Sequence, residues 1–254
     1  MLRLPLRITA DITKALLARI LHHGGHDSPV QFVDAAEILH HDSNHPVSHE
    51  KIREIISSRS PVVWIGGTEP LHHPGVAHLV RAITGSGHFV FLETDGTLLR
   101  RRIHEFQPVP RLFLTVRLDP GASLHASKSL RPSPSELAAG GIRTARLSGF
   151  FLCVHMRVHA ETELGEMAEL IRVSRSLDVD GIVITPATGG TNHAAVQSKT
   201  AEARKMIGGT WWELFSRLVE PVVSGERNAA QTVDEAGHPV GQEARANEEG
   251  VKVA

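Results

Sequence analysis

The residues best suited to chemistry are Gly66-Gly67-Thr68-Glu69-Pro70, directly after the apolar run Val62-Val63-Trp64-Ile65. Two glycines without Cβ atoms let a ligand approach the backbone closely, and Glu69 is an acceptor for an ammonium group. The same five residues would also make a plain tight turn with a solvated acid. Farther along, Arg117 offers a planar fork to an anionic ligand group or, equally, a salt bridge at a strand edge. In the run from Phe150 to Val158, His155, Arg157 and His159 are read as one face and Cys153, Met156 and Val158 as the other, with the polar set turned inward.

Histidine is abundant, 17 in all, with doublets at His22-His23, His40-His41 and His72-His73 and further residues at His26, His45 and His49. Imidazole suits zinc, nickel, copper or ferrous iron. The spacing contains neither H-E-x-x-H nor a strand ending in H-x-H, so no metal site is assigned and a solvated, His-rich surface is the simpler reading. Cys153 is the single cysteine, which excludes an intrachain disulfide framework and reads as a small core residue. The serines of Ser123–Ser135 and His125 lack a G-x-S-x-G elbow and are not a triad.

Alternating strands and helices must hold these residues. Val76, Leu79, Val80 and Ile83 recur at helical spacing, Gly85 and Gly87 stop the helix, and Phe89–Leu92 is a second apolar run ending at Thr94-Asp95-Gly96. Strand, glycine turn, helix, turn and strand in this order imply a parallel pair. The glycine turn then lies past a strand's C-terminal end, where ligands of parallel α/β folds gather. In chain order, Leu2–Thr9 alternates and is read as the first strand. A helix follows, striped by Ala15, Leu16, Leu17, Ile20 and Leu21, and Gln31–Leu39 is read as a short helix. Leu112–Leu118, Phe150–Val158 and Gly181–Pro186 supply the fourth to sixth strands. Ser123–Ser135 is a polar loop over the strand ends, and Trp211, Leu214, Phe215 and Leu218 stripe the last helix. Residues 225–254 lack aromatics and periodicity and are expected to be a disordered tail after a domain spanning residues 1–224.

The 254 residues suit one large α/β domain, with 41% hydrophobic residues and a formal net charge of -1. That balance gives no basic signature for nucleic acid, and no apolar run approaches membrane-spanning length. The first residues lack a signal-peptide core, so the expected location is cytoplasmic.

GGTEPLHHPGV followed by a strand ending in ETDGTLL resembles the radical S-adenosylmethionine (radical SAM) superfamily, with Thr68 as one extra residue in the turn. The resemblance implies an α/β partial (β/α)6 TIM-like barrel. It also implies a site for S-adenosylmethionine or a related small ligand formed by Gly66, Gly67, Thr68, Glu69, Pro70, Thr94, Asp95, Arg117, Asp119, Arg157, Ile184 and Pro186. Ile184 and Pro186 match residues that line the adenine pocket. Arg157 or His155 matches a basic position that holds the cofactor carboxylate, and Arg117-Leu118-Asp119-Pro120 replaces the family's S-L-D-G. The family's cluster loop carries Cys-x3-Cys-x2-Cys; aligned from Thr9, its places fall on Ile12, Leu16 and Arg19. No [4Fe-4S] cluster is therefore expected. The resulting expectation is a degenerate enzyme that binds its small ligand without radical chemistry. A His-dependent metal enzyme of the barrel class and a non-catalytic accessory or scaffold with a protein partner are the alternatives.

Overall fold

The computed structural model describes residues 6–21, 28–38, 49–120, 132–187, 192–208 and 210–223. The His22-His23, His26 and His40–His45 segments, most of the Ser123–Ser135 loop and the 225–254 tail lie outside the described residues.

Six strands carry the fold: β1 (Val30–Asp34), β2 (Val62–Gly66), β3 (Phe89–Thr94), β4 (Leu112–Arg117), β5 (Phe151–Val158) and β6 (Gly181–Pro186). Each pairs in parallel with the next, so the spatial order equals the chain order. Around and between them run α1 (Leu6–Leu21), α2 (Ala35–Ile38), α3 (His49–Ser57), α4 (Val76–Gly85), α5 (Leu99–Arg102), α6 (Pro134–Leu147), α7 (Leu164–Ser176), α8 (His193–Met206) and α9 (Thr210–Val223). The helical crossovers between β2 and β6 are those the hydrophobic periodicity requires. Val76, Leu79, Val80 and Ile83 of α4, for instance, are all buried against the sheet. Among the described residues no helix is long and apolar enough to cross a membrane.

The sheet is strongly curled. Trp64 on β2 and His155 on β5 have two strands between them, which would separate them by roughly 14 Å in a flat sheet. Their ring centroids are 5.3 Å apart. The concave face is filled by aromatic rings: Trp64 stacks on Phe91, Phe91 on Phe113, and Phe113 on Phe151, at centroid distances from 4.6 to 5.5 Å. This is the partial (β/α)6 barrel implied by the resemblance.

Helix α9 fills the seam that six strands leave open. It packs on both β6 and β1, with Trp212, Phe215 and Val219 buried and Phe215 reaching Phe91 at 4.9 Å. The free edge of β6 is satisfied by side chains: the Ile184 amide donates to Ser216 Oγ (3.1 Å), and the Ile184 carbonyl accepts from Arg204 Nε (2.9 Å). Arg204 is in turn paired with Glu220 at 2.7 Å. The cap at Ile184 obstructs further strand pairing at the middle of this edge. The expected α9 stripe needs one correction, because Leu214 is half-exposed and Trp212 takes the buried place.

Two expectations about the start of the chain fail within the described residues; residues 2–5 of the expected first strand lie outside them. The segment read as the first strand enters α1 at Leu6, where Ile8 and Ile12 bury one helical face and Thr9 Oγ1 accepts from Trp211 Nε1 (2.5 Å). The segment read as a helix from Gln31 instead begins with β1 and continues as the single turn α2. Ile12, Leu16 and Arg19 therefore belong to a helix ahead of the sheet, and the loop after the first strand begins beyond Asp34.

Cys153 lies on the same face as His155 and Arg157, opposite to the expected assignment, because residues two apart on a strand share a side. Its register partners are Thr115 and Gly181. Burial, helped by the Asp180 charge, pushes its thiol well above the ordinary range. A thiol-specific chromogenic disulfide should therefore modify the folded protein about a hundredfold more slowly than the denatured chain. Equal rates would place Cys153 at the surface.

Candidate ligand cleft at the strand ends

The Gly66–Pro70 turn is shaped by the protein's own acids. Gly67 has φ +85°, and a Cβ there would come within 2.3 Å of Asp34 Oδ1; one on Gly66 would lie 3.1 Å from Glu93 Oε2. Both glycines thus admit carboxylates from neighbouring strands. Glu69 is also occupied within the protein. Its Oε1 accepts from the Leu71 amide (3.0 Å) and Thr94 Oγ1 (2.7 Å), and its Oε2 accepts from the Asp95 amide (2.7 Å). Burial raises its pKa, and the hydrogen bonds from Asp95 and Thr94 oppose the rise. Glu69 therefore clamps the turn after β2 to the turn after β3, where the sequence had suggested an acceptor for a ligand. Pro70 and Leu71 pack beneath the clamp. Asp95 closes its own turn, with Oδ1 accepting from the Thr97 amide and hydroxyl. His73 of the one doublet within the described residues is likewise a turn residue, its Nδ1 accepting from the Gly75 amide at 2.9 Å.

Beside this clamp is a cleft of about 100 Å³ between Gly67, Arg117, Arg157 and Pro186, with Phe32, Thr185 and Val223 on its walls and Glu93 at its floor. Four residues expected at the site therefore converge. Thr68 is exposed, and Asp119 stands near the rim, 4.0 Å from Arg157 Nη2. Gly66, Glu69, Pro70, Thr94, Asp95 and Ile184 do not line the cleft. Ile184 points away from it in register, since Thr185 holds the inward position on β6.

The sequence reading missed the most distinctive group. Glu93 is 4% exposed and lies within an otherwise apolar strand. Its Oε2 accepts from Trp64 Nε1 (2.7 Å), while Oε1 lies 3.3 Å from an Arg117 Nη1 donor and 3.4 Å from His155 Nδ1. Burial alone would raise its pKa. The His155 charge, the hydrogen bond from Trp64 and the Arg117 charge outweigh burial and hold it at about 2. His155 Nε2 is bonded to Thr185 Oγ1 at 2.8 Å. A hydroxyl on the cleft wall, an imidazole and a carboxylate thus stand in line, with His155 Nδ1 facing Glu93 but making no hydrogen bond among the described residues. The available signal was parity: Glu93 shares the inward face with Phe91, so a lone acid in an apolar strand had to be buried with partners.

Arg157, like His155 at Nδ1, keeps one buried nitrogen without a hydrogen-bond partner among the described residues. That nitrogen is Nε, and the contact of Arg157 with the exposed Asp119 is long. The cleft thus combines two guanidiniums with one carboxylate already engaged from three sides.

No protein-family model matches the chain, and no curated protein matches it. Among solved structures it is similar to TYW1 with a lysine-pyruvate adduct bound and to an archaeal TYW1, each at 16% identity, with TM-scores of 0.44 and 0.43. Each match covers 63% of this chain and 53% of the other, so the chain spans about half the length of those TYW1 chains.

Proposed function

We propose that this chain binds a small ligand bearing a carboxylate, of the S-adenosylmethionine or related adenosyl or amino-acid class, at the C-terminal ends of the strands and without radical chemistry. The observation that carries this reading is the convergence of Arg117 and Arg157 on one cleft, with the Arg157 Nε buried and without a hydrogen-bond partner among the described residues. A ligand carboxylate would satisfy that donor by a charge-assisted bond, worth about 1.5–3 kcal/mol. Ligand pockets usually span about 300–1,000 Å³. A cleft of about 100 Å³ thus suits the carboxylate end of such a molecule, with the remainder extending past Pro186. The thiolates of a [4Fe-4S] cluster do not fit: the chain has one cysteine, and Cys153 is enclosed within β5. The chemistry open to these residues is to hold an anion between Arg117 and Arg157.

Calorimetric titration with S-adenosylmethionine, S-adenosylhomocysteine and methionine tests the reading. At least one should bind, and Arg157→Ala should weaken it about tenfold to a hundredfold, the equivalent of one such bond. Glu69→Ala should act chiefly by lowering the melting temperature, since its bonds are internal. No saturable binding to the wild type at millimolar ligand, or binding unchanged by Arg157→Ala, would retire the proposal.

A further inference from the structure

The opposite, N-terminal end of the strands holds a larger cavity, of about 390 Å³. Three arginines from separate elements line it: Arg7 on α1, Arg81 on α4 and Arg111 in the turn before β4. Phe89, Val109 and Pro110 give it an apolar wall, and among the described residues no acidic side chain lines it to offset the three charges. Arg111 is fixed in place, its guanidinium 4.8 Å from the Phe89 ring centroid and donating to the Gly87 carbonyl. Arg7 and Arg81 extend at the exposed margin.

We propose that this cavity is a second ligand site, selective for a small soluble phosphate monoester with an apolar or aromatic body. Guanidinium forks match phosphate oxygens in geometry and charge, and three of them suit a dianion better than a lone carboxylate. The apolar wall takes the body of the molecule, which inorganic phosphate would leave empty. The volume falls within the usual range of about 300–1,000 Å³ for small-molecule pockets, unlike the cleft at the mouth. Because two of the arginines are solvated, binding should weaken as ionic strength rises. The site shares no residue with the cleft at the opposite end of the strands and stands independently of the function proposed above.

Phenyl phosphate is the probe, titrated by calorimetry at low salt, with inorganic phosphate and benzyl alcohol as separate arms. Saturable binding of phenyl phosphate about tenfold tighter than either arm is expected. Arg81→Glu, an exposed change, should weaken it at least about tenfold, and Arg7→Glu should do the same. Arg157→Ala at the other end should leave it unchanged, and circular dichroism verifies that each variant is folded. The proposal fails if phenyl phosphate does not saturate at millimolar concentration, if inorganic phosphate binds as tightly, if both Glu variants bind normally, or if Arg157→Ala removes the binding.

Discussion

Glu93→Gln should cost about 3 kcal/mol of stability at neutral pH, because it removes the negative charge from a buried cluster and leaves Arg117 and His155 facing a neutral amide. The pH dependence separates this loss from a simple packing defect. The folded carboxyl titrates at about 2 and the unfolded one near 4.5. A depressed folded value contributes stability that is complete above the unfolded pKa and disappears as pH falls through the folded one. The wild type should therefore lose about 3 kcal/mol more than Glu93→Gln between pH 4.5 and pH 2. Urea unfolding of both proteins at several pH values measures the difference. Two curves that stay parallel down to pH 2 would show that Glu93 is neutral when folded and that the cluster carries no net ion pairing.

Gly181→Val should be comparably severe for a steric reason. A Cβ at Gly181 would stand 2.1 Å from the Trp212 ring, and Trp212 is 2% exposed, with no space to retreat into. Overpacking of this kind costs about 1–3 kcal/mol and occasionally more, and here it pushes α9 off the seam. Gly181→Ala should already lower the melting temperature, and Trp212→Leu should recover part of the loss, a coupling readable in a double-mutant cycle. If Gly181→Ala were as stable as the wild type, the close seating of α9 on β6 would be wrong.

The sequence made the middle of the fold legible and its opening illegible, for identifiable reasons. From Val62 onward, long apolar runs alternate with helical stripes, and the boundaries of β2 to β6 are matched to within a residue or two. Near the start, Leu2, Leu4, Leu6 and Ile8 alternate with polar residues, a strand-like pattern that the described part, from Leu6 onward, does not follow. The 3.6-residue spacing of Ile8 and Ile12, the faces that are buried, is the signal that prevails. The true first strand has five residues, too short for periodicity to separate from a helical turn. Of the residues that line the candidate cleft, Gly67 and Arg117 were singled out by residue type and strand-end position, and Arg157 and Pro186 through the family resemblance. Glu69 was read as an acceptor for a ligand, since one sequence cannot show that Thr94 and Asp95 would supply its donors. Glu93 was passed over because its meaning lies in Trp64, Arg117 and His155, three residues on three other strands.

The seating of α9 also fixes an order of events during synthesis. The helix touches β1, some 180 residues earlier in the chain, as well as β6 beside it. Until residues 210–223 leave the ribosome, the inner aromatic rings and the β6 edge have no cover. The emerging chain must therefore wait, for roughly two to seven seconds between β6 and the end of α9 at ordinary elongation rates, as an unfinished sheet with an open template at one side. The last step of folding is the closing of one helix over both ends of that sheet, a contact of high sequence separation and correspondingly slow formation. A ribosome stalled before Thr210 would hold a chain ready to pair with its neighbours, which makes α9 the part of this protein on which its escape from aggregation depends.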